Sequence, residues 1–239
     1  MKLVVVIPAY QAERHLPSVL ERVAKLQLCG LTRVIVVDDG SRDGTARAVE
    51  SAAGFGGLLQ LVKRQKNGGY GAAMKDGLCA ARAENPDAVA CVHADGQYAP
   101  EALPSLMAAL ERRGLDLMQG SRIASGTAVS GGMPRYKIWA NAALNLLENH
   151  TLDLAMTDYH SGYLVYGRRA LELPFQQLSN SFDFDLEVLA SAKARGLFVG
   201  EAPVPTHYGD EVSHLNPFTY GLRVLRVMWN FRKGRYDQV

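Results

Sequence analysis

Four short runs rich in β-branched residues fall within the first hundred positions, at 2–7, 33–37, 58–62 and 88–92, and each is followed by a segment with helical spacing. Apolar runs without polar alternation read as strands covered on both faces. Between them Leu16, Val19, Leu20 and Val23 recur at three- and four-residue steps. The stretches 45–53 and 72–83 are rich in helix formers, the former opened by Asp43 or Thr45 as a cap. Strand and helix alternating in this way leave little choice of architecture: right-handed βα units build an α/β fold with a mostly parallel sheet flanked by helices. A fifth strand is expected over 115–120. The second half is less regular, with a helix over 136–149, a turn at 157–162 and a helix over 184–194. A chain of 239 residues, 48% apolar, suits one large domain.

Composition removes several classes of function. Twenty-six basic residues against twenty-four acidic ones leave a formal charge of +2, too balanced for a protein that grips nucleic acid by charge. No window approaches eighteen uninterrupted apolar residues, so no membrane-spanning helix is expected. The first ten residues lack a cleavage site for a secretory signal. Cys29, Cys79 and Cys91 are odd in number and widely spaced, as for reduced thiols in a cytoplasmic protein, and Cys91 lies in an apolar run where it packs. The segment 217–235 holds five basic residues and no acid. On a helical projection Arg223, Arg226, Asn230 and Lys233 form one stripe, and Leu222, Leu225, Val227, Met228 and Trp229 an apolar arc. Such a segment docks either on its own domain or on a lipid surface, the second giving peripheral association at the inner face of a membrane.

In open α/β sheets ligands bind beyond the carboxyl ends of the strands. Here those ends carry Pro8 to Tyr10, Asp38-Asp39-Gly40-Ser41, Lys63 and Arg64 with Asn67-Gly68-Gly69, His93-Ala94-Asp95-Gly96-Gln97, and Ser121-Arg122 followed by a Gly/Ser-rich loop at 125–132. Adjacent side chains on a strand point to opposite faces, so one of Asp38 and Asp39 is aimed at the crevice. That one either binds a nucleoside or serves the turn. A carboxylate and an amide oxygen two residues apart, as in Asp95 and Gln97, can reach one divalent cation. Oxygen ligands with open positions suit Mg²⁺ or Mn²⁺ holding a substrate's phosphates; the alternative is a helix-entry turn ahead of Pro100. The glycines at 68, 69 and 71 do not make a dinucleotide fingerprint. That belongs at the first strand-to-helix turn, where Pro8 to Ala12 contains none. They point to close backbone approach, to a substrate or to a neighbouring element.

Taken in order, Val-Ile-Pro-Ala-Tyr at 6–10, Val-Asp-Asp-Gly-Ser at 37–41, Asn-x-Gly-x-Gly at 67–71, Ala-Asp-Gly-Gln at 94–97 and Gly-Ser-Arg at 120–122 resemble family 2 glycosyltransferases of GT-A fold. Phe-x-Phe-Asp-x-Glu at 182–187 and Glu-x-Pro-Val-Pro at 201–205 bring the likeness nearest to the polyprenyl-phosphate (dolichol-phosphate) sugar transferase branch. The resemblance implies an inverting, metal-dependent hexosyltransferase using a UDP- or GDP-sugar. Residues 1–122 would be the nucleotide-sugar half, and 123–239 the acceptor-side half of the same domain. Pro8, Tyr10, Asp39 and Ala94 would face the nucleotide. Asp95 and Gln97 would hold Mg²⁺ or Mn²⁺, Arg122 and Arg135 would lie near the phosphates or the acceptor, and Asp95, Arg122 and Asp185 would be catalytic.

The chain also departs from the family pattern. Gln11-Ala12 stands where Asn-Glu is frequent, and His207 lies near a position where Arg is common in the mannosyl branch. His93 replaces the first Asp of Asp-x-Asp, so it is either a metal ligand or a donor to a phosphate oxygen. A sugar hydroxyl acceptor needs a general base, whereas a lipid phosphate is already an anionic nucleophile. In the acceptor half Asp158, Asp183 and Asp185 are the candidate bases, each with a cap or salt-bridge alternative. A polyprenyl phosphate acceptor is therefore the leading expectation and a soluble or glycan hydroxyl the second. A non-catalytic nucleotide-sugar-binding protein is a third reading. Nucleotidyl transfer is disfavoured by the absence of a Gly-rich basic first loop.

Overall fold

The computed structural model describes residues 1–126, 135–205 and 217–237, of which 135–140 and 217–218 are described by backbone alone. β1 (Leu3–Ala9) is buried along its whole length, and its side chains alternate between two cores. Val4 and Val6 face one, Leu3, Val5, Ile7 and Ala9 the other. With both faces covered, no position calls for a polar residue, hence the unbroken apolar run. β2 (Leu31–Asp38), β3 (Leu59–Lys63) and β4 (Ala88–Cys91) lie parallel to it. They are joined by α1 (Leu16–Lys25), α2 (Thr45–Glu50) and α3 (Tyr70–Ala83). α1 starts with Pro17 in its first turn and buries Leu16, Val19, Leu20 and Val23, the stripe expected from spacing. Each such burial contributes about 1.5–3 kcal/mol.

After α4 (Leu103–Arg112) come β5 (Leu117–Ser121), α5 (Arg135–Leu152), β6 (Leu164–Gly167), α6 (Phe184–Ala194), β7 (Val199–Pro203) and α7 (Pro217–Arg232). The sheet order is β3-β2-β1-β4-β6-β5-β7. β6 alone is antiparallel to its neighbours, so the sheet is mostly parallel as expected. Because order reverses between β1 and β4, the ends of these strands part there and leave a crevice.

Neither β6 nor β7 is foreseen from the sequence. β6 is four residues without alternation, and its partners β4 and β5 lie far away in the chain. β7 carries Gly200, Glu201 and Pro203, residues poor in strands generally but tolerated at the sheet edge where β7 lies.

α7 corrects the helical projection of its own segment. Val224, Val227, Met228 and Asn230 are buried where α7 packs on α5 and α6. Leu222, Leu225 and Trp229 instead stand 55%, 50% and 63% exposed. The apolar arc is thus split into a docked face and an outward ridge, and Lys233 Nζ sits 5.0 Å over the Trp229 ring. Among the described residues no helix is long and apolar enough to cross a membrane.

Candidate active site

The loops after β1 and β2 are laced together at the crevice edge. Ser41 Oγ accepts the Gln11 N–H at 2.9 Å, Thr45 Oγ1 accepts the Ala12 N–H at 2.8 Å, and Glu13 Oε2 accepts the Gly44 N–H at 2.8 Å. Asp38 turns inward and accepts the Ser41 N–H at 2.9 Å. Asp39 reaches across to the glycine loop, its two oxygens accepting the Gly68 and Gly69 N–H groups at 2.9 Å each, with Arg64 Nε 2.9 Å from Oδ1. It is only 3% exposed, and burial pushes its carboxyl above the usual carboxylate range against the pull of those donors. Gly69 has φ 96°, and a Cβ there would lie 2.4 Å from the Asn180 carbonyl oxygen. The close approach is to a neighbouring segment of chain, 179–181, one of the two options its sequence allows. Pro8 is buried in β1, while Tyr10 is 44% exposed at the strand end.

At the end of β4, Ala94 is buried and Asp95, Gly96 and Gln97 are half-buried. Asp95 Oδ1 accepts the Gln97 N–H at 3.0 Å, so the two side chains leave one tight turn. His93 Nε2 lies 3.0 Å from the Gly162 carbonyl oxygen. A carbonyl can only accept, so Nε2 carries the hydrogen, and any bond from His93 to a cation has to use Nδ1. The ring is held between Tyr70 and Tyr98, with centroids 5.6 and 5.1 Å away. Gly162, at φ 70°, is what lets the groups converge. A Cβ there would meet the imidazole at 2.9 Å and Asp185 Oδ2 at 3.1 Å. Asp185, in the first turn of α6, is 6% exposed and hydrogen-bonded by Tyr70, and burial pushes its carboxyl up to about 7.

Arg122 follows β5 directly. Its Nε and Nη2 clamp Asp158 at 2.7 and 2.8 Å, and its backbone N–H adds a third bond at 3.1 Å. Asp183 accepts from Ser179 Oγ at 2.8 Å and from Arg223 Nη1 at 2.9 Å. Two of the three acids weighed as bases are therefore ion-paired. Arg135 opens α5, its side chain outside the described part, as are His207 and positions 127–132 of the Gly/Ser loop.

Tyr70, Gly162 and Glu201, which accepts the Thr157 N–H at 2.8 Å and shapes the turn bearing Asp158, are not singled out by the sequence. Gly162 and Glu201 do carry signals there, the one as the glycine closing the 157–162 turn and the other as the first residue of Glu-x-Pro-Val-Pro at 201–205.

Among the described residues no three His, Cys, Asp or Glu side chains converge as a closed metal cage. The donor set on the β4 turn is one carboxylate, one amide oxygen and at most one imidazole nitrogen. That fits a hard divalent cation taking its remaining ligands from a diphosphate, and does not fit a structural zinc.

Residues 4–173 match the family model described as glycosyl transferase family 2. The polyprenol monophosphomannose synthase of Mycolicibacterium smegmatis is 30% identical over 206 residues, covering 85% of this chain and 76% of that one. The UDP-N-acetylglucosamine–dolichyl-phosphate N-acetylglucosaminyltransferase of Methanococcus voltae is 27% identical over 216 residues, covering 85% and 84%. Among solved structures, the glucosyl-3-phosphoglycerate synthase of Mycobacterium tuberculosis with UDP superposes with a TM-score of 0.71 at 19% identity, covering 98% of this chain and 79% of that one. The same enzyme with Mn²⁺, UDP and glucosyl-3-phosphoglycerate gives 0.68 with the same identity and coverage. With its strand-end motifs in order on a mostly parallel sheet of GT-A type, the chain belongs to glycosyl transferase family 2.

Proposed function

We propose that this protein transfers a hexosyl group from a nucleoside-diphosphate sugar to a polyprenyl phosphate. One observation carries the choice of acceptor. Asp158 and Asp183 are tied up in ion pairs with Arg122 and Arg223, and Asp185 is buried beside Tyr70. None of the three is an exposed carboxylate ready to deprotonate a sugar hydroxyl. An acceptor phosphate, anionic already, needs no such group. Relatives whose names specify polyprenol or dolichyl phosphate support the same acceptor.

In this reading Pro8, Tyr10 and Asp39 line the nucleoside end, with Asp39 also fixing the glycine loop. Asp95 and Gln97 hold Mg²⁺ or Mn²⁺, Ala94 lies beside the diphosphate, and Arg122 faces the phosphates. A divalent cation bound there supplies positive charge to the departing diphosphate. An acceptor phosphate oxygen attacks the anomeric carbon from the face opposite the leaving group. The bond from that carbon to the diphosphate oxygen breaks, and the electron pair leaves with the nucleoside diphosphate, whose charge Arg122 stabilises. His93 acts through its neighbours: with Nε2 on Gly162 and its ring between Tyr70 and Tyr98, it fixes the turn from which Asp95 projects.

The outward ridge of α7, with Arg226, Arg232 and Lys233 nearby, supports docking of the enzyme on an anionic membrane surface at its cytoplasmic face, where such an acceptor is embedded. Basic residues near such a surface contribute about 1 kcal/mol each.

The test is thermal stabilisation by UDP and by GDP, each with Mn²⁺, Mg²⁺ or EDTA, in the native protein and in Asp95→Ala. A ligand at about a hundredfold its Kd stabilises the folded state by about 2.7 kcal/mol. The metal-dependent part of that shift should vanish in Asp95→Ala while the unliganded melting temperature stays put. An unchanged shift removes Asp95 from the site. Transfer to a glycan hydroxyl but not to polyprenyl phosphate in vesicles removes the acceptor assignment.

A further inference from the structure

Glu148 is an anomaly inside α5. It is fully buried on the helix face that also carries Leu144 and Leu152, and neither carboxylate oxygen has a hydrogen-bond partner among the described residues. A buried carboxylate is costly unless it is paired, so the ion-pairing neighbour it has among the described residues matters. That neighbour is His160, with Nε2 3.3 Å from Glu148 Oε2. With the ring hydrogen assigned to Nε2, that N–H faces the Glu148 carboxylate at close range, while Nδ1 accepts from the Tyr220 hydroxyl at 2.9 Å. The two rings meet edge-on, with centroids 5.3 Å apart at 81°. Three separate elements, α5, the 157–162 turn and α7, thus meet at one buried imidazole.

The same His160 donates its backbone N–H to Asp158 Oδ1 at 3.2 Å, and Asp158 is the carboxylate that clamps Arg122. On its other side the turn is held by Glu201, which takes the Thr157 N–H at 2.8 Å and the Asp158 N–H at 3.4 Å. These bonds hold the turn that carries Asp158, and Asp158 in turn grips Arg122 through its Nε, its Nη2 and its backbone N–H. We propose that Glu148, His160 and Tyr220 are positioning residues for Arg122: α7, through the Tyr220 hydroxyl, holds His160 and Asp158 so that the Arg122 guanidinium is fixed at the crevice. The functional consequence rests on the reading of Arg122 as a phosphate-facing residue. It also means that the helix carrying the exposed Leu222, Leu225 and Trp229 ridge is wired to the site by one hydrogen-bonded path.

The experiment uses the full chain labelled with ¹⁵N-arginine, following hydrogen exchange at the Arg122 Nε–H, assigned by its loss in Arg122→Lys. Tyr220→Phe keeps the ring and removes only the hydroxyl. His160→Gln is a second variant, and Tyr236→Phe, which removes a different hydroxyl, one bonded to Glu187, is the control. Exchange at Arg122 should quicken at least tenfold in Tyr220→Phe and His160→Gln and stay within twofold of native in Tyr236→Phe. Affinity for UDP or GDP with Mn²⁺ should fall threefold or more in Tyr220→Phe and not in the control. Unchanged Arg122 exchange in Tyr220→Phe, or equal quickening in Tyr236→Phe, overturns the positioning role whatever the nucleotide does. Unchanged nucleotide affinity in Arg122→Lys overturns the phosphate-facing reading of Arg122 instead, and leaves the exchange result to decide the positioning separately.

Discussion

Replacing Asp185 by Asn should make the protein more resistant to alkaline pH. Asp185 is buried, and that burial raises its carboxyl from 3.8 to about 7, with only the Tyr70 hydroxyl favouring the ionised form. Between those two values the unfolded chain has released the proton while the folded protein still holds it. The folded state therefore binds more protons, and stability falls as pH rises through the window. The slope is about 1.36 kcal/mol per pH unit, so this one group removes roughly 2–3 kcal/mol between about pH 5 and pH 7 and about 4 kcal/mol in all, levelling off above about 7. Asparagine has nearly the same shape, can accept from Tyr70, and does not titrate. Urea unfolding of both proteins at four pH values from about 5 to about 8, followed by circular dichroism, isolates this contribution, because every other ionisable group cancels in the difference. The Asp185→Asn variant should gain on the native protein by about 2–3 kcal/mol across that range, on the order of 1 M in midpoint. Tyr70→Phe, which removes the hydroxyl, should move the levelling point to higher pH. A difference between native and Asp185→Asn that does not change with pH would refute the assignment of burial as the dominant force on this carboxyl.

Gly162→Ala should lower stability by about 1–3 kcal/mol, since alanine is strained at φ 70° and its Cβ meets the tethered His93 ring; calorimetry showing a change under about 0.5 kcal/mol would mean the turn re-forms freely. For membrane docking, sedimentation with anionic vesicles at low salt should pull down the native chain. It should fail for Leu222→Ser with Trp229→Ser, and weaken strongly for Arg226, Arg232 and Lys233 changed to Gln, with Arg223 left intact because it serves Asp183. A native chain that stays in the supernatant ends the membrane reading.

Much of the site's position was written locally. The run at 2–7 could only be a strand buried on two faces, and α1 had to turn Leu16, Val19, Leu20 and Val23 inward. The polar residues at the ends of β1, β2 and β4 then fell at one edge, because parallel strands joined by right-handed crossovers finish on the same side. These are short-range consequences of side-chain period and backbone chirality, and a single chain carries them without reference to distant partners. What the carboxylates do was not local at all. Asp38 and Asp39 are adjacent and chemically alike, yet one closes its own turn and the other fastens the glycine loop at Gly68 and Gly69. Asp158, Asp183 and Asp185 were equivalent candidates until Arg122, Arg223 and burial beside Tyr70 distinguished them. β6 is a strand only because β4 and β5 flank it, and the apolar arc of α7 divides where α5 and α6 stop covering it. In each case the outcome depends on which groups exclude water from which others across long separations in sequence. That is a property of packing, and it exists only once the tertiary structure does.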